Sequence, residues 1–277
     1  MNRDSQRQLA DQLLPCVLAA GALEMSYFDT GFAVETKADR SPVTVADRAA
    51  EAIIVEALAR VLPGVPVVAE EAFAAGVRPV LGGTFLLVDA LDGTKQFISG
   101  HREFTINIAL VSGGQPVFGL VYAPALGDFL VTGGPGQALK AMIEPHAVMT
   151  TLEAVGPIQI SVRKPPLEGL TALQSRSRNL DVSNTFLDDF KIAAKRQLGS
   201  SYKFCLIAAG DADIYPQLGD TREWDTAAGQ AVLTAAGGVV TTLSGSPLVY
   251  GKSALDYLNP QFVAASAALP CLRRIAA

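Results

Sequence analysis

Apolar residues recur at helical spacing from the start of the chain. Leu9, Leu13, Cys16, Val17, Ala20 and Leu23 share one face of a segment reaching Tyr27, with Pro15 expected to kink it. Turn residues fill 36–42. Thr44, three residues before Asp47, then has the pattern of a capping box with Asp in place of Glu. The helix it opens carries Ala50, Ile53, Ile54, Ala57, Leu58 and Val61 on one side and ends near Pro63-Gly64. Short apolar runs at 65–69 and 84–88 stop abruptly at Glu70-Glu71 and Asp89. Runs at 104–111, 115–122 and 127–132, joined by Gly- and Pro-containing turns, predict an antiparallel meander.

Beyond Pro165 the pattern changes to alternating elements. Strands are expected at 170–174, 239–242 and 262–265, and helices at 183–192, 201–209 and 224–236, the last stopped by Gly237-Gly238. A meander followed by an alternating half predicts an α+β unit over 1–163 and an α/β unit over 164–277. The first would hold the antiparallel sheet and most candidate metal ligands, the second Asp225 and the residues that select the substrate.

At 277 residues and 49% hydrophobic, the chain has enough apolar surface for a large core. Only polar 1–7 reads as disordered. A net charge of -5 argues against a nucleic-acid polymer, whose binding rests on many cationic contacts to phosphate. Cys16, Cys205 and Cys271 are too few and too scattered for a disulfide framework or a zinc ribbon. With no signal-peptide pattern and no long apolar span, these features point to a soluble protein of the cytoplasm. Cys205 reads as a core residue, and His101 and His146 as structural or surface groups.

The chemistry lies in the carboxylates. Glu70-Glu71 and Asp89-Ala90-Leu91-Asp92-Gly93-Thr94 each sit where an apolar strand stops, the place where α/β folds gather ligands. Alone, the first reads as surface acids and the second as a hairpin turn. Asp225, in Trp224-Asp225-Thr226-Ala227-Ala228-Gly229, reads alone as a helix N-cap, although the small residues after it would let another backbone approach closely. Together the three segments form an acidic constellation without His or Cys, which selects a hard cation, Mg²⁺ first.

With Asp47, the same segments in this order resemble the inositol monophosphatase superfamily, the lithium-sensitive, Mg²⁺-dependent phosphatases with an αβαβα layered fold. The resemblance implies two or three Mg²⁺ ions. Glu70 and Asp89, with the carbonyl of Leu91, would hold the first, and Asp89, Asp92 and Asp225 the second. Asp47 and Thr94 would form a dyad taking the proton from a metal-activated water, with Glu70 also in the catalytic set. The N–H groups of Gly93 and Thr94 would cradle the phosphate. Glu70, Leu91, Asp92 and Asp225 would also border the substrate. The family usually has Pro where this chain has Ala90, which implies a looser turn.

Further segments resemble the CysQ branch of 3′(2′),5′-bisphosphate nucleotidases, which convert adenosine 3′,5′-bisphosphate to AMP and phosphate. They are Ser41–Asp47, Glu103–Leu110, Gly119–Pro124, Gly199–Cys205, Ala212–Pro216 and Asn259–Ala264. Ser200 and Lys203, opening a predicted helix, would seat the second, non-reacting phosphate. Against this, the branch's usual Arg after Tyr-Pro is Gln217 here, so either Arg222 compensates or the substrate preference has drifted. The alternatives are an inositol or sugar phosphatase with the same metal site, and a non-catalytic module binding metal or nucleotide. The implied partner is a small phosphorylated molecule, and the resemblance leaves room for a homodimer and for peripheral contact with the inner membrane.

Overall fold

The computed structural model describes residues 1–36, 42–176 and 180–266. The chain runs α1 (Arg3–Thr30), β1 (Val34–Thr36), β2 (Pro42–Thr44), α2 (Val45–Val61), β3 (Val67–Ala69), α3 (Glu70–Ala74) and β4 (Thr84–Asp92). It continues through α4 (Thr94–Ile98), β5 (Thr105–Ser112), β6 (Gln115–Ala123), β7 (Asp128–Gly134), β8 (Gln137–Met142), α5 (Leu152–Val155) and β9 (Ile158–Ile160). The rest comprises β10 (Leu170–Ser175), α6 (Leu180–Leu187), β11 (Ile192–Leu198), α7 (Tyr202–Ala208), β12 (Ile214–Gln217), a 3-10 turn (Glu223–Asp225), α8 (Ala227–Ala235), β13 (Gly238–Thr242) and β14 (Phe262–Ser266).

Alternation of side chains along the strands builds the layers. In β4, Leu86 and Val88 join Leu13, Val17, Ile54 and Leu58 of α1 and α2, whereas Phe85 and Leu87 face Phe204, Ala228 and Val232 of α7 and α8. In β14, Ala264 turns toward α7 and α8, while Val263 and Ala265 pack with Leu187 of α6. The order is therefore helix, sheet, helix, sheet, helix: the αβαβα arrangement. Among the described residues the first sheet has seven strands in the order β3-β4-β5-β6-β7-β8-β9, antiparallel except for β3 and β4. The second has five in the order β11-β10-β12-β14-β13, with parallel and antiparallel pairs.

The two sheets are tied through α8. A Cβ on Gly119 of β6 would meet the carbonyl oxygen of Ala228 at 2.4 Å, and one on Gly229 would meet the Phe204 ring at 2.6 Å. The small residues after Asp225 thus do allow a close backbone approach.

Several expectations change. The N-terminus is helical from Arg3, because Asn2 caps the first turn and the buried Gln6 donates to the Val117 carbonyl. Pro15 lies inside this helix, as expected, and faces solvent. The 183–192 helix ends at Leu187 instead, and Ile192 opens β11. The 224–236 helix is a 3-10 turn followed by α8. Strands β8, β9, β11 and β12 lack a strand signature. β11 is an edge strand among the described residues whose exposed stretch includes Lys195, Arg196 and Gln197, and β12 contains Pro216.

Candidate active site

Strand pairing brings the first two acids together. β3 and β4 run parallel with Ala69 opposite Val88, so Glu70 and Asp89 leave neighbouring strands side by side. Across β4 and β5, Asp89 pairs with Asn107 and Asp92 with Thr105. Two residues, Ala90 and Leu91, therefore stand against Ile106 alone, which is a β-bulge. The Asp89 carboxylate accepts from Leu91 N–H at 3.0 Å, and Gly93 then takes a φ of +98°, a left-handed conformation suited to glycine. Ala90 is buried in this bulge.

Asp225 arrives from the other sheet's side, at the end of the 3-10 turn. Its Oδ2 accepts from the Arg222 N–H at 2.8 Å, and Thr226, not Asp225, occupies the cap position of α8. Beneath it, buried Glu223 accepts the N–H groups of Gly251 and Lys252 at 2.7 and 2.8 Å. Trp224 packs on Phe73, ring centroids 5.2 Å apart. The result is a group of carboxylates: one oxygen each from Glu70, Asp89 and Asp225 lies within 4.8 Å of the others. Acidic oxygens this close and without nitrogen or sulfur donors suit a hard divalent cation.

Asp47 and Thr94 are also together. Thr94 Oγ1 lies 2.9 Å from Asp47 Oδ1 and 3.3 Å from the Leu91 carbonyl, so its single proton has its shorter path to Asp47. Asp47 Oδ2 accepts from the N–H and hydroxyl of Thr44 at 2.8 and 2.6 Å, which is the capping box of α2. At 3% exposure, burial pushes the Asp47 carboxyl above its ordinary value, while bonds from Thr44 and Thr94 pull it back.

Asp92 is turned elsewhere. Its Oδ2 accepts from the Ser201 N–H and from Asn107 Nδ2. Burial raises its pKa and the Lys203 charge opposes that rise. Lys203 itself is 2% exposed, and its ammonium donates to the carbonyls of Ser200 and Leu198 at 2.6 and 3.4 Å. It is not a solvated group on a helix face. Gln217 is buried between the Tyr215 hydroxyl and the Gly219 carbonyl, at 2.6 and 3.1 Å. Arg222 donates to the Asp256 carbonyl. All four, with Ser200, border one cavity of about 750 Å³ that also contains Glu70, Asp89, Gly93, Thr94 and Asp225. His101 and His146 are not among the residues described as lining it. Cys205 is buried in the core, and Cys271 lies outside the described residues.

Glu51 escaped the sequence reading. One helical turn after Asp47, it is buried and accepts the N–H groups of Glu71 and Ala72 at 2.7 and 2.8 Å, fixing the first turn of α3 behind Glu70. The signal was present: an acid four residues from Asp47 on a helix whose apolar face is buried.

Comparison with known proteins agrees with this geometry. The model of the inositol monophosphatase family matches residues 5–274. The chain belongs to the inositol monophosphatase family. It is 38% identical over 256 residues to the 3′(2′),5′-bisphosphate nucleotidase CysQ of Escherichia coli K12, covering 92% of this chain and 98% of that one. The protein of the same name from Salmonella typhimurium is 40% identical over 251 residues, 89% and 96% of the two chains. The crystal structure of CysQ from Bacteroides thetaiotaomicron, a bacterial member of this family, superposes with a TM-score of 0.77 at 32% identity, over 95% and 98% of the chains. Among the described residues, no helix is long and apolar enough to cross a membrane.

Proposed function

We propose that the chain is a Mg²⁺-dependent 3′(2′),5′-bisphosphate nucleotidase that converts adenosine 3′,5′-bisphosphate to AMP and phosphate. The observation that carries this reading is the meeting of Glu70, Asp89 and Asp225 with the Thr94–Asp47 pair at one cavity. The names of the relatives given above, 3′(2′),5′-bisphosphate nucleotidases, support the choice of a bisphosphate substrate.

In this assignment Glu70, Asp89 and the Leu91 carbonyl would hold one Mg²⁺, and Asp89, Asp92 and Asp225 would hold a second. Bound Mg²⁺ would neutralise the phosphate oxygens and make a water more acidic. Thr94 and Asp47 then take the water's proton. Asp47 suits a base, since it keeps a raised pKa while already accepting the Thr94 hydroxyl. Water oxygen joins phosphorus, and the ester oxygen leaves and is protonated. The N–H groups of Gly93 and Thr94 orient the reacting phosphate. A second phosphate entering the cavity meets the buried charge of Lys203 beside Ser200, with Arg222 on the same cavity in place of the branch's Arg at 217. Under the same proposal, a division into units 1–163 and 164–277 would put the metal acids mainly on the first and the phosphate seat on the second.

The test is phosphate release from adenosine 3′,5′-bisphosphate, inositol 1-phosphate and a sugar phosphate, each over a Mg²⁺ series. A highest kcat/KM for the bisphosphate, absent without Mg²⁺, is expected. Preference for inositol phosphate would overturn the substrate, and no turnover of any ester would overturn the enzyme.

A further inference from the structure

Asp92 ends a directed chain of hydrogen bonds running in from the core. The Ser201 hydroxyl donates to Asn107 Oδ1 at 2.6 Å, so the Thr105 hydroxyl, 2.9 Å from it, must be the donor to Ser201. The Asn107 amide in turn donates to Asp92 Oδ2 at 3.4 Å, and the Ser201 N–H donates to the same oxygen. Thr105, Asn107 and Ser201 are 0%, 1% and 2% exposed, so water does not compete for these bonds. The backbone is shaped for them. Ser200 holds a left-handed φ of +52° just before Ser201, and a Cβ on Gly199 would meet Gln96 at 2.2 Å, so the loop is seated against α4.

Two donors occupy the two lone-pair positions of Oδ2, which leaves Asp92 with one oxygen to offer a cation. Ca²⁺ accepts carboxylates through both oxygens and tolerates many ligands, whereas Mg²⁺ demands six at short, near-octahedral positions. We infer that Asn107 and Ser201 are positioning residues that restrict Asp92 to single-oxygen ligation and so make the site discriminate Mg²⁺ from Ca²⁺. This rests on the proposed role of Asp92 as a Mg²⁺ ligand.

The experiment is calorimetric binding of Mg²⁺ and of Ca²⁺ alone to the full chain, for wild type, Asn107→Leu and Ser201→Ala. Thermal melts without metal provide the control for folding. Asn107→Leu keeps the side-chain volume and removes the donor to Oδ2. Ser201→Ala keeps the N–H and removes only the hydroxyl that orients Asn107. Mg²⁺ affinity should fall roughly 10- to 100-fold in Asn107→Leu, the scale set by lost support behind a ligand, and by less in Ser201→Ala. Ca²⁺ affinity should hold or rise, so the Mg²⁺-to-Ca²⁺ ratio shifts toward Ca²⁺ in both. A folded variant with an unchanged ratio overturns the inference and leaves the nucleotidase reading standing. A wild type that binds no Mg²⁺ overturns both. If Asn107→Leu does not fold, the ratio in Ser201→Ala decides.

Discussion

The Thr94 hydroxyl stands 2.9 Å from Asp47 Oδ1 and binds two stretches of chain 47 residues apart into one unit. Asp47 also caps α2, so its removal would cost stability as well as chemistry. Thr94→Val separates the two effects, since it keeps the shape and deletes only the hydroxyl. It should lower kcat about 100-fold or more, the scale of general-base assistance, with KM little changed. The melting temperature should move by only a few degrees. Steady-state kinetics beside a thermal melt checks this, and a wild-type kcat would remove Thr94 from the proton path.

Lys203 has a structural job and, under the proposed function, a second one in binding phosphate, and its replacement should show both. Its ammonium holds the Ser200 and Leu198 carbonyls and faces the charge of Asp92. Lys203→Ala should therefore depress kcat/KM on every substrate. On the bisphosphate a further loss of roughly 10-fold is expected for one charge-assisted contact to the second phosphate. The ratio of kcat/KM between adenosine 3′,5′-bisphosphate and a nucleoside 3′-monophosphate reads the second effect free of the first. An unchanged ratio would remove Lys203 from the phosphate seat.

Both halves of this site were within reach of the sequence to different degrees. The acids stop apolar runs, and Thr44 with Asp47 spells out a cap, so motif and local pattern agree. The supporting groups were harder to read. Asn107 sits in a run that is apolar around it, and its amide gains meaning only through the bulge that sets Asp92 opposite Thr105. The same holds for the missed strand β11, whose exposed Ala193 to Gln197 are strand only because β10 lies beside them. Pairing partners distant along the chain leave no local periodicity to detect.

Glu24 is the least comfortable side chain in the core. It is 0% exposed on α1, and neither carboxylate oxygen has a hydrogen-bond partner among the described residues. Burial first, then the nearby Asp47 charge, pushes its pKa well above the usual 4.5. The folded chain thus holds this proton where the unfolded chain has released it. The contribution of Glu24 to stability is whole below pH 4.5 and is lost as pH rises toward its folded pKa. Glu24→Gln does not titrate, so its advantage in denaturant midpoint over wild type should widen with each step from pH 4.5 upward. Parallel curves across that range would mean the carboxyl finds a partner in solution.

Gly199 leaves no room for a side chain. With Gln96 at 2.2 Å from a built Cβ, Gly199→Ala forces either the buried Gln96 side chain or the loop to shift. A cost of about 1–3 kcal/mol is expected from such overpacking, together with a weaker Mg²⁺ response as Ser201 is drawn away from Asp92. Chemical denaturation and a Mg²⁺ titration of the melting temperature measure the two. A stable variant with a normal response would show that the loop has slack.

The contact of Gly119 with the Ala228 carbonyl carries a consequence for how the molecule breathes. Because Gly119 lets α8 pack directly on the β6 backbone, amides in these two elements should exchange with deuterium together and among the slowest. Those of β11, bonded along one edge only among the described residues, should exchange early. Asp225, at the foot of α8, would then keep its position through every opening short of global unfolding. The outer strand β11 could fray without disturbing Glu70, Asp89 or Asp225, whereas Asp92 would feel it through Ser201, which follows close on the end of β11.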